Sequence, residues 1–227
     1  MANGAIGDAL QDPFLCLIGP SRAIVLEDPV VFEIQLRLGV SPISRDRSLI
    51  SGTRRYRLVG SGTISFENCF CTTELRVQTM EHSVQATILG IRVKDGIWPS
   101  LYGGMVYCLS PPLGETKQVD QKLVLHDSRT RQMPQGIEGY LHLSRHVVSV
   151  EVESHLKFVL QTYLSPSGDI GEVATVCFEP RYSNISQQTC CLGGTEVEIT
   201  VAWSRLVTDK RDIALNGWVE IDRKSVV

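Results

Sequence analysis

The chain has 227 residues, 43% of them hydrophobic and 21% charged, with a formal net charge of −3. These values exclude a mainly disordered polypeptide, a chain too short to bury a core, and a globally basic nucleic-acid binder. No apolar run approaches the roughly eighteen residues of a membrane span. Residues 1–12 carry neither the basic start nor the long apolar stretch of a signal peptide, so the sequence predicts a chain that is not secreted and does not engage a membrane.

Taken in chain order, the predicted elements are strands. Runs at 14–18 and 22–27 flank Gly19-Pro20-Ser21. Over 30–38, Phe32, Ile34, Leu36 and Leu38 alternate with Glu33, Gln35 and Arg37, the period of two of a half-buried strand. Less regular runs follow at 56–60, 62–66, 73–79, 84–93, 104–109 and 119–125, with a bulge expected near Gly90, where the apolar phase shifts. Val148, Val150 and Val152 alternate with Ser149, Glu151 and Glu153, so the valines should face a core and the other three water. Runs at 156–163 and 172–178 come next. Val197, Ile199, Val201 and Trp203 then alternate with polar or small residues. Turn residues separate these runs, among them Asp28-Pro29, Gly60-Ser61-Gly62, Asp95-Gly96, Ser165-Pro166-Ser167-Gly168 and Gly193-Gly194.

No helical stripe interrupts the series. The pattern predicts an all-β antiparallel sandwich of about 10–14 strands. It falls into an N-terminal extension over 1–11, one domain over 12–206, and a tail over 207–227 in which Gly217–Ile221 reads as an edge strand or as part of a loosely held extension.

Seven cysteines, Cys16, Cys69, Cys71, Cys108, Cys177, Cys190 and Cys191, are an odd number in a long chain. Several sit in apolar runs. The spacing predicts free, buried thiols in a reducing compartment, cytoplasmic or nuclear. No zinc spacing is present, and His82, His126, His142, His146 and His155 do not cluster beside them. No metal or cofactor is expected.

Phosphate loops, nucleophile elbows and zinc-helix signatures are all missing from the sequence. His126-Asp127-Ser128 holds triad residue types in adjacent positions, but adjacent strand residues point to opposite faces. The sequence therefore leans away from an enzyme, with an unrecognised active site as the remaining catalytic reading. Asn184-Ile185-Ser186 is a glycosylation sequon, relevant only to a secreted chain.

Two stretches are candidate binding surfaces. Arg45, Arg47, Arg54, Arg55 and Arg57 fall in one loop-and-strand segment with Tyr56 interleaved. Arginine forks suit phosphate or carboxylate, and a tyrosine ring suits base stacking; a solvated basic loop is the alternative. Asp95-Gly96-Ile97-Trp98-Pro99 with Tyr102 is the second. Asp-Gly turns the chain and Pro99 holds Trp98 extended, so Trp98 either anchors a partner or plugs the end of the core.

Asp12-Pro13-Phe14, Gly19-Pro20-Ser21-Arg22-Ala23, Asp95-Gly96-Ile97-Trp98-Pro99, Leu143-Ser144-Arg145-His146-Val147-Val148 and Glu196-Val197-Glu198-Ile199-Thr200-Val201-Ala202-Trp203 together resemble a grass-specific domain of unknown function. In some cereal proteins, including a jasmonate-induced one, that domain follows a ribosome-inactivating N-glycosidase domain. The resemblance spans roughly residues 12–206 and includes Arg22 and Arg145 as recurrent arginines without an assigned role. It implies a plant defence or stress protein. It carries over no N-glycosidase activity, since the Glu-Ala-x-x-Arg signature of the other domain is missing here. Cap binding, to which the jasmonate-induced protein's carboxyl domain has been likened, is not expected either. The expected function is a non-catalytic module that binds a protein partner, with RNA or the ribosome as the alternative partner through Arg45–Arg57.

Overall fold

The computed structural model describes residues 24–25, 30–38, 47–57, 61–111, 122–129, 133, 138–206 and 224–226. The described residues form fourteen strands and no helix. They are β1 (Ile24–Val25), β2 (Val30–Leu38), β3 (Arg47–Tyr56), β4 (Ser61–Glu67), β5 (Thr72–Glu81), β6 (Ser83–Val93) and β7 (Gly104–Leu109). The series continues with β8 (Leu123–Asp127), β9 (Val147–Glu151), β10 (Leu156–Tyr163), β11 (Ile170–Phe178), β12 (Ile185–Leu192), β13 (Thr195–Arg205) and β14 (Lys224–Val226).

Every pairing between named strands is antiparallel. Two four-stranded sheets, ordered β12-β13-β6-β9 and β11-β10-β7-β8, form the sandwich. Between them lies one apolar cluster, in which Ile88, Ile91, Val197, Ile199, Val201 and Trp203 face Val106, Leu156, Phe158, Leu160 and Phe178. The rings of Phe158 and Phe178 meet edge to face at 5.5 Å, a preferred aromatic arrangement. Strands β2 and β3 form a hairpin. A further sheet, ordered β1-β14-β5-β4, completes the set. Ile50, Tyr56, Ile64, Phe66 and Val77 make a second, smaller apolar cluster there, joined by Phe32, Ile34 and Leu36.

The alternation over 30–38 gives the face expected, with Phe32, Ile34 and Leu36 inward and Glu33, Gln35 and Arg37 exposed. The expected bulge is present. Thr200 pairs with Gly90 and Val201 with Ile88, so Leu89 is left unpaired. The Tyr140 ring lies over Gly90, and a β-carbon there would stand 2.8 Å from it, so a larger residue at position 90 has to displace that half-exposed ring.

Three expectations are corrected, and one strand is new. Glu151 and Ser149 do not face water. All five residues of β9 are buried, with Glu151 only 7% exposed, because it lies where β5 turns into β6: Ser83 pairs with Glu151, and the Val152 N–H bonds the His82 carbonyl. The cysteines are not uniformly core. Cys108 is buried, but Cys69, Cys177 and Cys191 are exposed. Strand alternation explains Cys177, since Val176 and Phe178 on either side point inward. The strand expected at 56–60 ends at Tyr56 and begins nine residues earlier, as β3. A strand at β12, unmarked in the sequence, pairs with β13. The tail supplies β14 at Lys224–Val226, an interior strand between β1 and β5, while the edge strand expected near Gly217–Ile221 lies outside the described residues, as do Cys16 and the run at 14–18.

Candidate functional site

One end of the sandwich is built from the loop between β6 and β7, the turn after β8, the β10–β11 hairpin and the β12–β13 turn. The β6–β7 loop begins at Asp95-Gly96, where the Gly96 N–H bonds the Val93 carbonyl at 2.9 Å. Pro99 keeps Trp98 extended, and the Trp98 ring turns inward, only 5% exposed. Its indole N–H donates to the Gly103 carbonyl at 2.9 Å. That same carbonyl accepts the Tyr163 N–H at 2.9 Å. The Ser100 hydroxyl donates to the Tyr163 carbonyl, and the Gly103 N–H closes a turn onto the Ser100 carbonyl at 3.3 Å. Ser128 clamps the far side, with its hydroxyl accepting the Gly104 N–H at 2.9 Å and its own N–H bonding the Gly104 carbonyl at 3.0 Å.

Gly103 sits at φ +77, and a β-carbon there would lie 2.2 Å from the Ser128 hydroxyl. Gly103→Ala should therefore cost about 1–3 kcal/mol from the left-handed backbone alone, with more from the collision. A urea titration of the variant beside the parent protein measures it.

On this fixed frame the turn presents apolar side chains to water. Leu101 is 100% exposed and Tyr102 is half exposed. Ile97, Leu164 and Ile170 are also exposed. Turn tips are normally polar, so an aliphatic residue held wholly in solvent is a departure. Covering one leucine gains on the order of 1.5–3 kcal/mol.

Beneath this tip is a polar triplet. Tyr163 donates its hydroxyl to Asp127 Oδ1 at 3.1 Å, and Arg129 grips both carboxylate oxygens of Asp127. The Arg129 guanidinium also lies 6.0 Å from the Tyr163 ring centroid. Burial pulls the Asp127 carboxyl upward, but the hydrogen bonds and charge of Arg129, with the Tyr163 hydroxyl, outweigh it and hold the carboxyl below its ordinary range. Burial, then the Asp127 charge, pushes the Tyr163 hydroxyl up to about 12. An acid group depressed in the folded state contributes stability above its unfolded pKa, about 3.9. That contribution is lost as pH falls through the folded value. Asp127→Asn should thus flatten the acid limb of stability below about pH 4, read as Tm against pH.

The hairpin beside the tip is fixed by Asp169. Its carboxylate accepts the hydroxyls of Ser165 and Ser167, which hold it below the ordinary carboxylate range. Gly193 packs against Pro99 and donates its N–H to Glu172 Oε2 at 2.7 Å.

The arginine stretch is only partly brought together. Arg45 lies outside the described residues, and Arg47 opens β3. Arg54, Arg55 and Arg57 are exposed, but Arg54 and Arg55 are strand neighbours and so point to opposite faces. The Arg54 guanidinium lies 5.8 Å from the Phe66 ring centroid. Tyr56 is not a stacking platform. It is 4% exposed and packs edge to face on Phe32 within the smaller cluster. Trp98 likewise plugs the core and presents no surface, while Tyr102 faces solvent. Leu101, Ile97, Leu164 and Ile170 were not singled out from the sequence. The available signal was an aliphatic residue inside the turn Ser100-Leu101-Tyr102-Gly103.

His126, Asp127 and Ser128 do not converge. The His126 Nδ1 lies 2.9 Å from the His142 carbonyl and its Nε2 3.0 Å from the Met133 sulfur, while Asp127 serves Arg129 and Ser128 serves Gly104. Among the described residues no three His, Cys, Asp or Glu side chains are placed to hold a metal ion. No helix there is long and apolar enough to cross a membrane. An open cleft lies between the edges of β11 and β12, lined by Cys177, Arg181, Ser186 and Gln188 among others. The Gln188 amide spans it, donating to the Cys177 carbonyl at 2.7 Å.

A family model described as "Domain of unknown function (DUF6598)" matches residues 8–201. No curated protein and no solved structure matches the chain.

Proposed function

We propose, for a chain that belongs to this DUF6598 family of unknown function, a non-catalytic binding module whose protein partner docks on the loop end of the sandwich. The observation that carries the reading is Leu101, wholly exposed on a turn whose flanking Trp98, Ser100, Gly103 and Gly104 are hydrogen-bonded into the sandwich end. A rigid frame removes the entropy cost of ordering the loop on binding, and an exposed aliphatic anchor supplies the gain. The resemblance to the grass domain that follows an N-glycosidase domain supports a role in cereal stress or defence. The search for the partner begins in the cytoplasm and nucleus of stressed leaf, the reducing compartments that free thiols suit. Protein immobilised and exposed to such an extract should retain a partner that Leu101→Ser retains at least about tenfold less, with unchanged Tm; a 1.4 kcal/mol loss of contact is tenfold in affinity. Equal retention by both proteins would sink the reading.

A second reading, an RNA- or ribosome-associated module, is favoured by the exposure of Arg54, Arg55 and Arg57. It requires salt-sensitive RNA binding that the triple alanine variant loses. An absence of such binding removes it.

A further inference from the structure

Resting on the reading above, we infer that the partner presents an apolar pocket ringed by cationic side chains. The charges around the tip carry this. In the four segments that meet there, 94–103, 127–129, 164–172 and 193–196, the basic residues are Lys94 and Arg129. Both are consumed locally, Lys94 by Glu196 and Arg129 by Asp127. Asp95, Asp169 and Glu172 are exposed and have no cationic partner among the described residues. Two of the three are held in place. Asp169 is fixed by two serine hydroxyls and Glu172 by the Gly193 N–H. Among the described residues the surface is therefore an aliphatic tip inside a rim of negative charge, two members of which are preorganised.

Shape narrows the partner further. Leu101 projects from a turn and is covered by nothing, so a flat surface would leave its sides wet and only a recess removes it from water. Charge then decides among occupants. A second copy of this chain would bring two acidic rims together, and like charges across an interface are costly. An anionic leaflet repels the same rim, because surface attraction needs Lys or Arg. A recess lined by apolar groups and edged with Lys or Arg satisfies both parts.

The test uses the full chain in three forms: the parent protein, Leu101→Asp, and a rim variant with Asp95→Asn, Asp169→Asn and Glu172→Gln. Leu101→Ser serves as a second tip variant, and Tm confirms folding of each. The partner recovered from extract should carry more Lys and Arg than Asp and Glu on the contacting domain. Its affinity should fall at least about tenfold between about 50 mM and about 500 mM salt, since rim charges are screened over that range. The rim variant should bind about tenfold more weakly, mainly through slower association, and the tip variants should not bind. Binding lost in the tip variants but indifferent to salt and to the rim variant overturns the cationic partner and leaves the docking surface intact. Full binding by the tip variants overturns both. Cosedimentation of the parent protein with phosphatidylcholine or phosphatidylserine vesicles, or self-association, in either case abolished by Leu101→Asp, also overturns the cationic partner.

Discussion

Replacing Trp98 by alanine is expected to destabilise the sandwich by about 3–5 kcal/mol and to release the loop that carries Leu101. The ring is almost wholly buried within the main apolar cluster, so its removal opens a cavity at the sandwich end. The indole N–H is also one of two donors to the Gly103 carbonyl. Trp98→Phe separates the two effects. It keeps most of the buried ring but leaves that carbonyl with the Tyr163 N–H alone. Chemical denaturation should show a smaller loss for the phenylalanine variant, about 1–2 kcal/mol. Amide exchange over 100–104 should accelerate in both variants. A phenylalanine variant with parental exchange in the loop would show that burial alone holds the turn.

The second large effect distinguishes the two apolar clusters. Phe158 and Phe66 are both buried aromatics, and each alanine replacement is expected to cost about 3–5 kcal/mol. Their consequences should differ in place. Phe66 packs with Ile50, Tyr56, Ile64 and Val77, and no described residue belongs to both clusters. Phe66→Ala should therefore expose amides over β2 to β5 while β6, β10 and β13 remain protected. Phe158→Ala should loosen the sandwich strands themselves. Native-state hydrogen exchange reads both patterns. Uniform loss of protection in both variants would mean that the clusters unfold as one unit.

Much of the fold is legible in the sequence because one face of a strand is wet. Val197, Ile199, Val201 and Trp203 alternate cleanly, and all four are core. Where both faces are covered, alternation carries no information. Glu151 and Gln161 look like surface residues and are buried. Strands β3 and β12 were hidden for a different reason. Arg47–Tyr56 contains Ser48, Gly52 and Thr53, and Ile185–Leu192 contains two glutamines. Pairing with β2 and with β13 makes them strands, more than side-chain preference does. The loop end was half visible. Asp95-Gly96 and Trp98-Pro99 marked a shaped loop, but the sequence drew attention to its tryptophan. The exposed residue is Leu101, and a leucine in isolation reads as core.

Complete exposure of Leu101 has a consequence for how such a chain can change. A position with no intramolecular contact places no demand on folding, so substitutions there leave stability near its parental value. Trp98, Ser100, Gly103 and Ser128 have no such freedom, since each bonds the frame. The tip can therefore vary from one member of a lineage to another while the sandwich stays fixed. For the docking surface proposed above, partner choice would then be open to re-tuning at one or two codons without endangering the fold.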